Sequence, residues 1–265
     1  MKPNLVLLKI GGGVITDKTV QYGLREEVLS RLAREIGEAW NKLGETKLIV
    51  GNGAGSFAHY SAHKYRTMEG FVDEQSRIGM GWVRWDAVKL NQIVFEQLLT
   101  SNIPVFSFAP SSLMSVKNGI TKKTFLDPIN DLLANQMVPL VYGDVMVDEA
   151  KGCIVYSTER VFDELAKNFA NNYDVRVIHV SAEEGVYKKG KASIYEKISR
   201  ENFEDVKAHL GGSNGVDVSG GMLHKVEECL ALSKVGICSQ IVSGMIPGRV
   251  RDALMGKKVK GTTIC

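Results

Sequence analysis

A short apolar run at residues 5–8 passes through Lys9 and Ile10 into three consecutive glycines, Gly11, Gly12 and Gly13. The run has the length and content of a buried strand. Glycines at its end free the backbone for positive φ and bring bare N–H groups close to a ligand. Lys9 and Lys18 bracket this loop with point charges suited to phosphate oxygens. Taken alone, the stretch fits a strand-to-helix turn as well as a phosphate loop. The pattern then recurs. Residues 46–50 read as a second buried strand ending in GNGAGSFAH at 51–59, and further junctions stand at 143–144 and 243–244. Two such loops at the same end of neighbouring parallel strands face each other across one ligand.

Between the junctions the spacing predicts helices. Leu24, Val28, Leu32, Ile36, Trp40 and Leu43 form an amphipathic stripe. Further helices are expected over 81–99, over 160–171 behind a Ser157-Thr158-Glu159 cap, and from Met222 on, with Val226 and Leu230 on the same face. Residues 60–80 are polar and mixed and read as a loop or short helix near the site. Additional strands are expected over 105–108, 136–142, 145–147, 153–156, 175–180, 239–242 and 262–264, with a hairpin at 148–152. This repeated βα order predicts a largely parallel sheet with helices on both faces.

Composition excludes several classes. A chain of 265 residues with 44% hydrophobic and 24% charged residues is an ordinary globular protein, one large α/β domain or two closely joined lobes. A net charge of +3 exerts no general pull toward nucleic acid. Lys2 and Pro3 precede only four apolar residues before Lys9, unlike a secretory signal. No window is apolar over a membrane-spanning length, so a cytoplasmic protein is expected. Cys153, Cys229, Cys238 and Cys265 form no CxxC pair and no zinc spacing, which reads as free thiols in a reducing compartment and no metal site.

Chemistry concentrates at few positions. A glycine- and serine-rich loop at 211–221 opens a helix that carries Lys225. Helix N-termini and glycine loops give N–H donors to anions, and lysines neutralise charge on a transferred phosphoryl group. No GxxxxGK[ST] occurs, and Gly51, Gly53 and Gly55 do not have dinucleotide-loop spacing. His59 sits where a helix would begin, beside donors aimed at an anion, suited to an acceptor phosphate or to proton transfer. His63 pairs with it too weakly for a metal site, and His179, inside an apolar strand, reads as a satisfied core residue. Met80, Val83, Ile93 and Val94 could line an acceptor pocket, but core is the better reading of each.

The segments KIGGGVITDK, GNGAGSFAH, YGDV, SGGMLHKVE and ALMGKKVKGTTI, in this order from residue 5 to 264, resemble the isopentenyl phosphate kinases of the amino acid kinase superfamily. The resemblance implies a three-layer αβα sandwich with a mainly parallel open sheet, in a single domain over 1–265. Roughly 1–175 would form the phosphoryl-acceptor lobe and 176–265 the nucleotide lobe. It implies transfer of the ATP γ-phosphoryl group to isopentenyl phosphate, in a cytoplasmic homodimer serving isoprenoid synthesis by an alternative mevalonate route. By position, Lys9, Lys18, His59 and Lys225 would be catalytic. Lys9, Ile10, Gly11, Gly12, Gly13, Gly55, Tyr187, Gly221 and Lys225 would bind ATP, and Ala54, Gly55, His59 and Gly143 the acceptor. Mg2+ would be held mainly by ATP phosphates and water.

Departures stand out against that pattern. Gly13 occupies a usual serine position, Asn52 a usual histidine, and Ala58 a usual glycine. Ser157-Thr158-Glu159-Arg160 replaces Ser-Gly-Asp-Asp, leaving Glu159 to orient the lysines, and Ser181-Ala182 replaces Thr-Asp. Fosfomycin kinase, with the same fold, lysines and histidine, is the alternative expectation. A non-catalytic nucleotide-binding regulator is a third, though it would not need all four charges.

Overall fold

The computed structural model describes residues 2–188, 193–210 and 221–265. The loop 211–220, singled out in the sequence, lies outside them, as do residues 189–192.

The first half of the chain runs β1 (Asn4–Ile10), α1 (Gly12–Ile15), β2 (Thr16–Asp17), β3 (Gly23–Leu24), α2 (Glu26–Trp40), β4 (Lys47–Asn52), α3 (Gly55–Lys64) and α4 (Glu74–Thr100). It continues with β5 (Val105–Ser107), α5 (Pro110–Leu113), β6 (Met114–Lys117), β7 (Ile120–Thr124), α6 (Asp127–Ala134) and β8 (Val138–Tyr142). Then come β9 (Asp144–Asp148), β10 (Gly152–Tyr156), α7 (Thr158–Phe169), β11 (Asp174–Ser181), β12 (Lys197–Ile198) and α8 (Phe203–Leu210). The last elements are α9 (Gly221–Ser233), β13 (Cys238–Ser243), α10 (Arg249–Leu254) and β14 (Gly261–Ile264).

Eight strands form the main sheet in the order β12-β14-β13-β11-β1-β4-β8-β5. Its pairings are parallel except that between β13 and β14. Side chains on β1 alternate between two cores. Val6, Leu8 and Ile10 meet α2, α4 and α10 through Leu32, Ile36, Val94 and Leu254. Leu5 and Leu7 meet α6 and α7 through Ile129, Val161, Phe162 and Leu165. This is the expected αβα sandwich. Lys9 follows the Leu5–Leu7 alternation onto the α7 face. β1 is also where the chain order reverses, with β4 on one side and β11 on the other, so the crevice beyond its carboxyl end is the natural ligand site of such a sheet.

Several expectations need correcting. The helix read from residue 81 begins at Glu74, because Asp73 accepts from the Ser76 N–H (2.7 Å) while its own N–H donates to Ser76 Oγ (3.1 Å) in a capping box. Residues 110–112, whose sequence Pro-Ser-Ser reads as a turn after the strand at 105–108, instead begin the single-turn helix α5, with the proline in its first positions. Val94 belongs to the α2–α4 core with Ile93 against it. Met80 and Val83 instead join Ala54, Ala58, Ala62, Tyr142 and Val145 in a separate cluster. The four thiols are not all free: Cys238 and Cys265 form a disulfide, leaving Cys153 and Cys229 free and buried. The antiparallel pairing of Ser239 with Ile264 brings the flanking cysteines together, which their spacing of 27 residues did not suggest. No helix among the described residues is long and apolar enough to cross a membrane.

Candidate active site

The two glycine loops interlock. Gly11 N–H donates to Val180 O and Gly53 N–H to Ile10 O, both at 2.9 Å, so each loop is hung from the end of a neighbouring strand. A Cβ on Gly12 would lie 2.3 Å from Gly55 N, and one on Gly53 would lie 2.7 Å from Gly12 N. The loops therefore touch backbone to backbone, closer than any side chain allows. Gly55 opens α3 at φ +53°, a conformation natural to glycine, and a Cβ there would strike Thr16 Oγ1 at 2.3 Å. Thr16, fully buried, donates to Gly12 O (2.8 Å) and accepts from Ser56 N–H (3.0 Å). One hydroxyl ties loop to loop. Nothing in the sequence marks Thr16 for this, because Ser56 lies 40 residues further along the chain.

A charged cluster stands over this floor. Lys9, 4% exposed, pairs with Glu159 at the start of α7. Register explains the meeting. Gly51 is opposite Lys9, and a Cβ on Gly51 would lie 2.5 Å from the Phe162 ring and 3.0 Å from Thr158. The bare backbone lets α7 approach β4, and the Thr158 hydroxyl clamps it by donating to Asn52 O at 2.8 Å. Ser157 caps α7 as expected, accepting from Arg160 N–H. Glu159 is held down to about 2: burial works against its charge, but the Lys9 ammonium and hydrogen bond, then Lys225 and His179, outweigh it.

Lys225 lies just past the first turn of α9, and its pKa is lowered first by desolvation, then by Lys9. One turn further, burial and the Glu159 charge raise Glu228, which bonds His224 at 3.1 Å. His59, exposed on α3, is shifted down by desolvation and then by Lys18, with Glu159 opposing. Its imidazole is thus biased neutral, with one N–H to donate. Lys9, Lys18 and Lys225 around the strongly ionised Glu159 give the crevice a positive bias suited to an anionic ligand.

His179, opposite Lys9 on β11, is buried as expected but not fully satisfied: Nε2 meets Cys229 Sγ at 3.5 Å while Nδ1 has no partner among the described residues. Desolvation, then the Lys9 and Lys225 charges, push it to about 3, so it adds no charge of its own. Gly143 follows β8, its N–H on Asn52 O (3.1 Å) and its Cβ position facing Thr158 and Ala54. Beside it, Arg84 bonds Tyr142 and both oxygens of buried Asp144 (2.8 and 2.9 Å). Burial, then the Asp144 charge, push the Tyr142 phenol up to about 12. Asn52 is wired through Asn91 (2.9 Å) to Ser107 (2.5 Å), a buried polar line joining the second loop to α4 and β5. Tyr187 stands apart, bridged to Ile194 beyond β11, and Gly221 begins α9. Among the described residues, no group of three or more His, Cys, Asp or Glu is placed to hold a metal ion.

The profile of the amino acid kinase family matches residues 4–243. The isopentenyl phosphate kinase of Methanothermobacter thermautotrophicus is 32% identical over 272 aligned residues, covering 98% of each chain. The chain belongs to the isopentenyl phosphate kinases of the amino acid kinase family. The isopentenyl phosphate kinase of Methanocaldococcus jannaschii is 28% identical, again over 98% of each chain. An X-ray structure of isopentenyl phosphate kinase superposes with a TM-score of 0.83 at 29% identity, covering 98% of this chain and 100% of that one. Full-length agreement with the family makes the departures local. Gly13 is the clearest: a Cβ there would meet only Lys18, with Cε at 3.2 Å. The missing side chain lets the lysine lie across the loop. Gly13→Ser is accordingly expected to change kcat by no more than about threefold, since the flexible end of Lys18 can yield; steady-state kinetics checks this.

Proposed function

We propose that this kinase transfers the γ-phosphoryl group of ATP to isopentenyl phosphate, giving isopentenyl diphosphate and ADP. The convergence of Lys9, Lys18, Lys225 and His59 on two interlocked glycine loops at the sheet's switch point carries the reading. Lys9 contacts the transferring group. The backbone of Ile10, Gly11, Gly12 and Gly13 holds the ATP phosphates, with Gly221 and Lys225 reaching them from α9 and Tyr187 bordering the adenosine. Lys18 neutralises charge as the phosphoryl group moves. Ala54 and Gly55 lie between the two ligands, His59 donates to the acceptor phosphate, and Gly143 bounds its site. The hydrocarbon tail then lies toward Met80 and Val83.

This division makes roughly 1–175 the acceptor lobe and 176–265 the nucleotide lobe. Glu159 does no proton transfer; depressed to about 2 and paired with Lys9, it aims that ammonium. Mg2+ would enter as MgATP, held mainly by phosphate oxygens and water, and would screen the phosphate charge; among the described residues no group of three or more His, Cys, Asp or Glu is placed to hold it. The remaining work is positioning and charge neutralisation. Lys18→Met and Lys225→Met should each lower kcat by about tenfold or more, with a smaller change in substrate affinity. An unchanged kcat in either variant removes that lysine from the mechanism.

We assign the enzyme to the cytoplasm, as a homodimer. The exposed stripe Ile78, Trp82 and Trp85 on α4 is the apolar face such a pairing would cover. Coupled ADP-release assays with isopentenyl phosphate, dimethylallyl phosphate and fosfomycin test the acceptor. Turnover is expected with isopentenyl phosphate. Turnover with fosfomycin alone would replace this reading with the phosphonate-kinase one.

A further inference from the structure

Lys18 sits on a small hairpin. Its ladder is two residues long, Thr16 opposite Leu24 and Asp17 opposite Gly23. Asp17 organises the tip by accepting from Thr19 N–H (2.9 Å) and Thr19 Oγ1 (2.7 Å), and Gly23 N–H closes on Val20 O (3.0 Å). Lys18 itself is exposed and makes no ion pair among the described residues. So short a ladder gives the lysine little hold on its direction. Ser56 of α3 holds the base of the hairpin, its N–H donating to Thr16 Oγ1 (3.0 Å) and its hydroxyl to Gly23 O (3.5 Å), and Tyr22 ties the tip to α4.

Tyr22 takes φ +59°, a conformation that a bulky aromatic residue adopts only when its surroundings demand it. The turn sends the side chain into three contacts. Its hydroxyl donates to Asp86 Oδ1 at 2.8 Å. Its ring meets Phe57 edge-on, with centroids 5.2 Å apart. The Lys89 ammonium lies over the other part of the ring, 4.4 Å from its centroid. Phe57 is on α3 two residues before His59, and Asp86 and Lys89 are on α4. Asp86 is 1% exposed, and a carboxylate that deep is costly unless hydrogen-bonded. The strained residue on the hairpin and the buried acid on the helix satisfy each other.

We propose that Tyr22 and Asp86 form a latch that holds the Lys18 hairpin against the acceptor helices, making both of them positioning residues for phosphoryl transfer. With the latch made, the hairpin holds the lysine chain across Gly13, where its Cε lies 3.2 Å from the vacant Cβ position. Without the hydroxyl the hairpin keeps its ladder and its ring contacts with Phe57 and Lys89 but loses its hydrogen bond to Asp86 on α4, and Lys18 no longer has a fixed station over the phosphates. The latch rests on the role assigned to Lys18.

The test is kinetic, with isopentenyl diphosphate formation followed in wild type, Tyr22→Phe, Asp86→Asn, Lys18→Met and the Tyr22→Phe/Lys18→Met double variant. Phenylalanine keeps the ring on Phe57 and removes only the hydroxyl. In Tyr22→Phe, kcat should fall by about tenfold while both KM values stay within about twofold. Asp86→Asn, which still offers a carbonyl acceptor, should lose less. Added to Lys18→Met, the tyrosine change should have no further effect, a readout that general loosening of the fold would not give. Wild-type kcat in Tyr22→Phe beside an impaired Lys18→Met overturns the latch alone, as does an undiminished extra loss in the double variant. Wild-type kcat in Lys18→Met removes the Lys18 role and the latch with it.

Discussion

Gly12→Ala is expected to lower kcat/KM by about 10²-fold or more without unfolding the sheet. A Cβ at this position would stand 2.3 Å from Gly55 N, 2.6 Å from Gly55 Cα and 3.2 Å from the Gly53 carbonyl carbon. All three are backbone atoms and cannot rotate away, so the loops must part by most of an ångström. Thr16 resists, since its hydroxyl bonds Gly12 O and Ser56 N–H together. The strain falls on the backbone donors of the first loop, which we assign to the ATP phosphates, and on the start of α3, which carries His59. Circular dichroism should stay native in shape while turnover collapses. Near-wild-type turnover would mean that the close approach of the loops is not what organises the site. Gly13→Ser is the internal contrast, because there the obstacle is only the tip of a lysine side chain.

His59→Ala is expected to act on one substrate. The acceptor KM should rise by about 10- to 100-fold, the range for losing a hydrogen bond to a charged phosphate, while the KM for ATP stays within about twofold. The selectivity follows from position: His59 is on α3, on the Gly55 and Gly143 side of the loops, whereas Lys225 comes from α9 across the sheet. Initial-rate measurements with each substrate varied at saturating partner separate the two constants. Loss of nucleotide affinity in this variant would refute the assignment of His59 to the acceptor.

Much of this was legible in the sequence because it is local. Apolar runs ending in glycine marked β1 and β4, helical spacing marked α2, and Ser157 announced the start of α7. The features that were not legible depend on register. Nothing near Gly51 says that Phe162 will pack on it, or that this contact brings Glu159 to Lys9. Thr16, the Asn52–Asn91–Ser107 line and the Cys238–Cys265 disulfide likewise join residues that only the assembled sheet makes neighbours. The early start of α4 is a different failure. Its Asp73–Ser76 capping box was present in the sequence, but the polar, aromatic and glycine-bearing residues around it hid the helical period.

The lysine departures also take on a physical meaning. Glu159, one methylene longer than the usual acid, reaches Lys9 directly, and Thr158 clamps α7 to the second loop through Asn52 O. The pair's stability follows the depressed carboxylate. It is fully present above the ordinary glutamate value of 4.5 and is lost as pH falls through about 2, so Glu159 stays ionised across the neutral range.

The central claim is that this lysine-lined crevice moves a phosphoryl group from ATP onto a phosphate rather than onto water or a carboxylate. Phosphorus NMR of the enzyme with MgATP and isopentenyl phosphate follows every phosphorus atom at once. Loss of the acceptor's monophosphate signal together with ATP is expected, with matched growth of ADP and a coupled pair of diphosphate resonances. ATP consumption that yields only inorganic phosphate, with the isopentenyl phosphate signal intact, would contradict it.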